Sequence, residues 1–384
     1  MTHRYAALCL LLAALAPNLA AGREVRFRKI VVDTTFRSEG VATGDVNHDG
    51  KTDIFAGDVW FEAPDWKPHP IRPVKTYKPK GGYSQCFQNF AQDVDGDGWV
   101  DSIVVNFPGR KCVWYQNPQN KPGHWKERVV WPSACGETPL FADLLGTGKP
   151  VLVFGIQPEG RIAWFTPPED LDAPHWQMHP ISKPKSHSTQ RFTHGYGVGD
   201  VDGDGRNDFL CTRGWWQQPQ DPGQAPWPFR PAKLGPACAD MVVYDVDGDG
   251  DNDVITSSAH NYGMWWFEHV RGDKGIAFKQ HPFFKEYSQT HALILADMDG
   301  DGVKDLVSGK RHYAHQGKDP GGEEPAMVFW FRLRREDGRP QFQLHEIDDD
   351  SGVGTQFEVS DFDGDGKLDI ITSNKKGVHL FLQE

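Results

Sequence analysis

Seven near-copies of one short phrase run through this 384-residue chain, and they limit what it can fold into. The copies begin at Asp45 (DVNHDGKTD), Asp93 (DVDGDGWVD), Asp143 (DLLGTGKPV), Asp200 (DVDGDGRND), Asp245 (DVDGDGDND), Asp297 (DMDGDGVKD) and Asp361 (DFDGDGKLD). Only the third is degenerate. A period of roughly fifty residues marks a propeller or a solenoid. Length alone would suggest two domains. One unit recurs from end to end, so a single domain is expected over residues 22–384.

Each unit carries four apolar segments. One precedes the Asp phrase, as in Tyr196-Gly197-Val198-Gly199, and one follows it, as in Asp253-Val254-Ile255-Thr256. The third is aromatic, as in Val59-Trp60-Phe61 or Phe329-Trp330-Phe331, and the fourth alternates, as in Phe342 to Ile347. Four strands repeated radially make a propeller blade. The last unit stops after its third segment, while Val25 to Val32 is an orphan of the fourth type. The expectation is an all-β, seven-bladed β-propeller of four-stranded blades, its ring closed by the N-terminal strand. Closure removes an open sheet edge.

The phrase D-x-[DN]-x-D-G-x-x-D sets oxygen donors at alternating positions of a tight turn. The expected ligands are Asp45, Asn47, Asp49 and Asp53; Asp93, Asp95, Asp97 and Asp101; Asp200, Asp202, Asp204 and Asp208; Asp245, Asp247, Asp249 and Asp253; Asp297, Asp299, Asp301 and Asp305; and Asp361, Asp363, Asp365 and Asp369. A hard cation wants about six to eight oxygens in a small sphere, which favours calcium at some six structural sites. The Glu that a helical EF-hand needs at position twelve is missing. The third copy has Leu145, Thr147 and Val151 in the ligand places and is expected to bind nothing.

These units resemble the FG-GAP or VCBS repeat of integrin-alpha-like propellers, across essentially the whole chain after its leader. The resemblance implies seven blades with calcium loops between the first and second strands. It fixes no ligand, since such propellers serve adhesion, carbohydrate binding and enzymatic work. More loosely, the chain resembles the propeller portion of aldos-2-ulose dehydratases and propeller polysaccharide lyases, through its calcium-loop blades and a rim rich in His and Tyr. The cupin portions of the dehydratases have no counterpart here.

The first residues read as an export signal over 1–21: Arg4, an apolar run from Ala6 to Leu15, and Leu19-Ala20-Ala21 as the cleavage region. A secreted or periplasmic protein is expected, without a membrane span. Cys86, Cys112, Cys135, Cys211 and Cys238 remain, an odd count that favours buried core thiols over a disulfide framework. Only Cys86 and Cys112 are worth testing as a pair. The net charge of −12 argues against nucleic acid and anionic membranes as partners. The chain is expected to be monomeric.

A residue type repeated at one blade position is structural, and His69, His179, His281 and His345 fall in that class. Function is sought where the copies differ. Residues just before strand one and just after strand two share the face opposite the Asp loops, near the axis. Six residues before each loop Asp stand Glu39, Phe87, Glu137, His194, Ala239, His291 and Thr355; Asp240 falls one place later. Arg213, His260 and the run Lys310-Arg311-His312-Tyr313 follow strand two. Diverse titratable groups around one axis suit a pocket. Insertions at 74–84, 183–191 and 310–325 crowd the same face, as functional loops do.

The first expectation is a binding pocket for a polar ligand, a carbohydrate, built by His194, His260, His291, Arg311 and His312. Glu39, Asp240, Arg213 and Lys310 complete it, and Tyr196, Tyr262 and Tyr313 offer rings for stacking. The alternative is a carbohydrate lyase or dehydratase acting by β-elimination. Its candidate catalytic residues are His194, His260, His291 and Tyr196, with one transition metal held by the histidines and Asp240 or Glu39. A protein–protein adhesion propeller ranks third, because it calls for a broad aromatic patch.

Overall fold

The computed structural model describes residues 22–235, 238–272, 275–336 and 339–384. The expected export signal lies outside the described residues. Among these residues the chain is all-β, with a short turn of helical type at Ala314–Gly317 and no α-helix. Among the described residues no helix is long and apolar enough to cross a membrane.

The strands come in antiparallel groups of four that follow the sequence units. Unit 1 is Ala42–Gly44, Asp53–Ala56, Val59–Glu62 and Lys67–Pro70. Units 2 and 3 share the 17-residue strand Lys126–Ala142, which ends one group and begins the next. Units 4 and 5 join through a parallel pairing of Gly197–Gly199 with Cys238–Tyr244. Unit 6 runs from Thr290 to Asp348. Unit 7 holds Glu358–Ser360, Asp369–Asn374 and Gly377–Gln383, and its fourth strand is Phe27–Asp33 from the other end of the chain.

The second strand of each unit is buried on both faces, for example Asp101–Val105 and Asp253–Ser258. That explains why these segments read as continuous apolar runs rather than alternating ones. Each apolar cluster spans two neighbouring units. Phe55 and Trp60 of unit 1 pack with Val104 and Trp125 of unit 2. Trp114 of unit 2 packs with Phe154 of unit 3, Trp164 of unit 3 with Phe209 of unit 4, and Trp215 of unit 4 with Val254 of unit 5. Ile255 packs with Phe329, Trp330 with Ile370, and Ile371 of unit 7 returns to Ile54 of unit 1.

The repeated histidines stack on the aromatic third strand: His69 on Trp60, His179 on Trp164, His281 on Trp266 and His345 on Trp330, at centroid distances of 4.4, 3.8, 4.5 and 4.5 Å. All five described cysteines are buried and unpaired, Cys86 and Cys112 included. Burial pushes the Cys86 thiol up to about 12, so it is an inert core group.

The Asp loops owe their shape to backbone hydrogen bonds. Asp93 Oδ1 accepts the Gly96 N–H at 2.8 Å and Oδ2 the Gly98 N–H at 2.9 Å. Gly98 takes a φ of 87°, a conformation costly for a side-chain-bearing residue. The ninth residue opens strand two and is buried. Asp101 accepts N–H groups from Val94 at 3.0 Å and Asn117 at 2.7 Å, and Asp53, Asp208, Asp253, Asp305 and Asp369 repeat the arrangement. In the third copy Asp143 still accepts from Thr147 and Gly148, so one aspartate suffices to fold the turn. The remaining acids exceed what the turn requires.

Candidate functional site

Four residues from four consecutive units meet on the side of the strands opposite the Asp loops, at a cluster termed the hub. Three stand six places before their loop Asp: Glu137 of unit 3, His194 of unit 4 and His291 of unit 6. His260 follows strand two of unit 5. The backbone aims these side chains by breaking strand register. His291 is the extra residue between the pairs Thr290–Lys310 and Ala292–Gly309. Glu137 lies in a comparable break between Cys135 and Leu140. Bulges of this kind redirect a side chain out of the ladder. Glu137 N–H donates to Thr193 O at 2.8 Å, which brings its carboxylate beside His194.

The convergence is tight. His194 Nε2 lies 3.1 Å from His291 Nε2 and 3.1 Å from His260 Nε2. Glu137 Oε2 stands 3.5 Å from Nε2 of both His194 and His291. Arg311 Nη1 donates to the same oxygen at 2.9 Å, and Arg311 Nε is 3.6 Å from Glu39 Oε2. His291 is 0 % exposed and Arg311 1 %. Burial raises the Glu137 carboxyl, but hydrogen bonds from His194 and His291 and the Arg311 charge outweigh it, leaving the group well below its usual range. Burial and Arg311 push His291 well down, and burial with the His194 charge pushes His260 to about 4. Glu39 is raised by burial against the pull of Arg311.

Outward from this cluster, His260 Nδ1 meets Asp319 Oδ2 at 3.1 Å, and His315 Nδ1 meets the same carboxylate at 3.0 Å. His315 is the exposed end, with 48 % of its side chain accessible. Beside the histidines runs a ledge of aromatic rings: Tyr83, Phe87, Phe107 and Phe192, with successive centroids 5.7, 5.2 and 5.8 Å apart. Cations press on it. Arg311 lies 5.1 Å from the Tyr83 ring, Lys375 Nζ 4.2 Å from the same ring, and Arg191 5.0 Å from Phe192. Phe192 is 50 % exposed, unusual for so large an apolar side chain in a protein with ample core. The His194 ring is tied to this ledge, its Nδ1 lying 2.9 Å from Phe192 O.

The other expected pocket residues are dispersed. Tyr196 is fully buried in the core between units 3 and 4, where its hydroxyl donates to Ser188 O at 2.6 Å. Asp240 lines a separate cavity of about 390 Å³, shared with Gln88, Gln356 and Glu358 and with none of these histidines. Burial raises its carboxyl to about 7. Lys310 is buried, and its ammonium donates to Ser288 Oγ and Gly321 O. Tyr262 donates to Glu324 Oε1 at 2.6 Å. His312 is pushed to about 4 by burial and nearby lysines. The carbonyl of Tyr313 accepts from Lys375 at 2.9 Å. Arg213 is exposed. A roomier cleft, about 630 Å³, lies near the first Asp loop beside Trp60 and Trp125. Its titratable lining residues are Asp49, Glu62, His69, Lys121 and His124, of which His69 is engaged by Glu62 at 2.7 Å.

On the opposite face the loop donors are all oxygens. Oxygen atoms of Asp93, Asp95 and Asp101 lie within 4.8 Å of one another, as do those of Asp200, Asp202 and Asp208, and of Asp245, Asp247 and Asp249. Burial, countered by two backbone N–H donors, raises Asp101 to about 7. Such a donor set fits a hard cation and disfavours a soft one.

Residues 245–308 match the FG-GAP-like repeat family. No curated protein matches the chain. Among solved structures, an Agrocybe aegerita lectin that recognises non-reducing terminal N-acetylglucosamine is similar at 15 % identity and a TM-score of 0.45, over 94 % of this chain and 85 % of the lectin. A rhamnogalacturonan lyase of Bacillus licheniformis is similar at 12 % identity and a TM-score of 0.44, over 92 % and 72 %. The Vibrio cholerae biofilm matrix protein Bap1 is similar at 10 % identity and a TM-score of 0.41, over 94 % and 84 %.

Proposed function

We propose that this chain is an exported, monomeric seven-bladed propeller, stapled by calcium in six Asp loops, that binds an anionic carbohydrate at its hub. Support for ring closure lies in the cyclic order of the apolar clusters and in the pairing of Phe27 with Gln383. Support for calcium lies in the surplus of converging carboxylates beyond the one aspartate each turn needs.

The observation that carries the binding reading is the exposed Phe192 ring beside the exposed Arg191 guanidinium, at the solvent end of a row of half-buried and buried rings that starts at Tyr83. Sugar rings present C–H faces that pack on aromatic rings, and the exposed Arg191 beside Phe192 selects a carboxylate or sulfate substituent. The local sequence agrees. Residues 72–85 hold Arg72, Lys75, Lys78 and Lys80 with no acid, and 183–191 hold Lys183, Lys185 and Arg191 with no acid, in a chain of net charge −12. These two segments are thus basic on an acidic protein.

Affinity electrophoresis through polygalacturonate, a sulfated glycan and neutral dextran tests this. The two anionic gels should retard the protein and dextran should not. Arg191→Ala and Phe192→Ala should each weaken retardation about tenfold, the scale of one stacked or charge-assisted contact. Equal retardation by dextran, or variants that behave as wild type, would refute it.

A second reading, elimination on the bound sugar, is favoured by the histidine cluster beside the buried Arg311 guanidinium. An imidazole takes the proton from the carbon beside the sugar carboxylate, the C–O bond on the next carbon breaks as the double bond forms, and the departing oxygen leaves protonated by water. A rise in ultraviolet absorbance from a new conjugated double bond separates this reading from binding alone.

A further inference from the structure

We propose that the hub is a transition-metal centre in which His194, His260 and His291 ligate through Nε2 and Glu137 supplies a carboxylate oxygen. What each Nδ1 faces decides where the ring protons are. The Nδ1 of His194 lies 2.9 Å from Phe192 O, and a carbonyl only accepts, so this nitrogen carries the proton. The Nδ1 of His260 faces the Asp319 carboxylate at 3.1 Å and donates likewise. Both rings therefore turn an unprotonated Nε2 into the same space, 3.1 Å apart. His291 brings a third nitrogen 3.1 Å from that of His194, while its own Nδ1 is buried without a partner. Glu137 Oε2, 3.5 Å from two of the nitrogens, is a fourth acceptor.

Lone pairs at such separations repel. One proton placed on His194 Nε2 satisfies one contact and leaves the others unmet. A divalent cation satisfies them together. The size also fits. Bonds of about 2.0–2.1 Å in a tetrahedral zinc site set donor–donor edges of about 3.3 Å. Four of the six edges here are 3.1, 3.1, 3.5 and 3.5 Å, and the three imidazole nitrogens all lie within 4.8 Å of one another. Calcium wants oxygens at about 2.3–2.6 Å, so three imidazoles exclude the ion expected in the loops. Nitrogen donors select zinc or a neighbouring first-row ion. An outer layer of the kind such centres use is in place: Asp319 on His260, the Phe192 carbonyl on His194, and Arg311 on Glu137.

The open side is marked by His260, whose side chain is 25 % exposed, where the cluster gives onto Asp319 and His315. A ligand oxygen arriving there is a fifth donor, an expansion that zinc accepts, and is polarised by the ion. That role rests on the carbohydrate reading; the centre itself does not.

The test uses the full chain with calcium held at millimolar concentration throughout, so that the Asp loops stay loaded. A chelator selective for transition metals strips the hub, and Co2+ is then titrated without any glycan. Saturable binding of one equivalent with visible d–d absorption is expected. His194→Ala and His291→Ala should each weaken Co2+ binding at least a hundredfold, while Lys51→Ala on the first Asp loop should leave it unchanged. Asp319→Asn, which keeps the shape of the outer contact, should cost about tenfold. Wild-type protein that retains no transition metal as isolated and binds no Co2+ would overturn the centre, as would histidine variants that melt like wild type and bind Co2+ equally well. Glycan retardation with no metal would sink this proposal alone, and metal with no retardation would sink only the carbohydrate reading.

Discussion

At the scale of single residues, burial matters more than identity. His379 lies on the last strand, 4 % exposed, with an Nδ1 that has no partner. Burial first, and then the Lys29 charge, push it to about 4, against about 6.5 in an unfolded chain. The folded value is depressed, so the unfolded chain takes up the proton first. The contribution to stability is complete above about 6.5 and is lost as pH falls toward 4, worth roughly 3 kcal/mol at most. His379→Gln should therefore lose less melting temperature than wild type between about pH 7 and pH 4.5. Parallel losses in a calorimetric comparison would contradict this. His379 sits in the run Gly377-Val378-His379-Leu380, and no sequence pattern sets it apart from an ordinary strand residue. The hub was more legible. Glu137, His194 and His291 share one register position, six before the loop Asp, and that coincidence is visible in the sequence. The choice of carboxylate was not. Asp240 falls one place later, and neighbouring residues of an extended strand face opposite sides, so it lines a separate cavity while Glu137 turns toward the histidines. Tyr196 also looked like a rim residue, but its ring fills the seam between units 3 and 4.

At the scale of elements, the Asp loops were legible because alternating acids in a tight turn have few other uses. The seams between units were not, because different residues do the same work. Asn117 Nδ2 donates to Val46 O at 3.0 Å, Gln218 Nε2 to Leu144 O at 2.7 Å, Arg335 Nε to Val246 O at 3.2 Å and Gln383 Nε2 to Met298 O at 2.9 Å. Each acceptor is the second residue of the neighbouring Asp loop. A loop therefore holds more than its own hairpin, and strain in it passes to the next unit. The degenerate third loop supplies an internal control, since Asp143 alone folds the same turn. Asp95→Asn should remove one calcium per chain and lower the melting temperature by several degrees, for a loss of about 1–2 kcal/mol per site. Thr147→Ala should change neither quantity. Calcium stoichiometry by atomic emission, read beside the melting curve, decides it. An unchanged metal count in Asp95→Asn would remove the calcium assignment from the second loop.

At the scale of the whole molecule, the ends of the chain carry a burden that no single unit shows. Phe27–Asp33 completes the sheet of unit 7, opposite Gly377–Gln383, and Val25 and Phe27 pack against the cluster that joins units 6 and 7. Without that strand, Gly377–Gln383 presents a row of unpaired N–H and C=O groups, the kind of edge that recruits other chains. The seam between units 7 and 1 then loosens, because unit 7 is also the neighbour that unit 1 packs against. The hub depends on the same seam. Glu39 of unit 1 accepts from Thr355 of unit 7 through its backbone at 2.7 Å, and its side chain helps hold Arg311 beside Glu137. A chain that begins at residue 34 should therefore oligomerise in size-exclusion chromatography and unfold over a broader range than wild type. It should also lose Co2+ affinity at the hub, although no metal ligand has been removed. Adding back a peptide of residues 24–33 should restore all three properties, since strand pairing needs no covalent link. A truncated chain that stays monomeric and melts within a degree or two of wild type would mean that the seven units hold together without the closing strand.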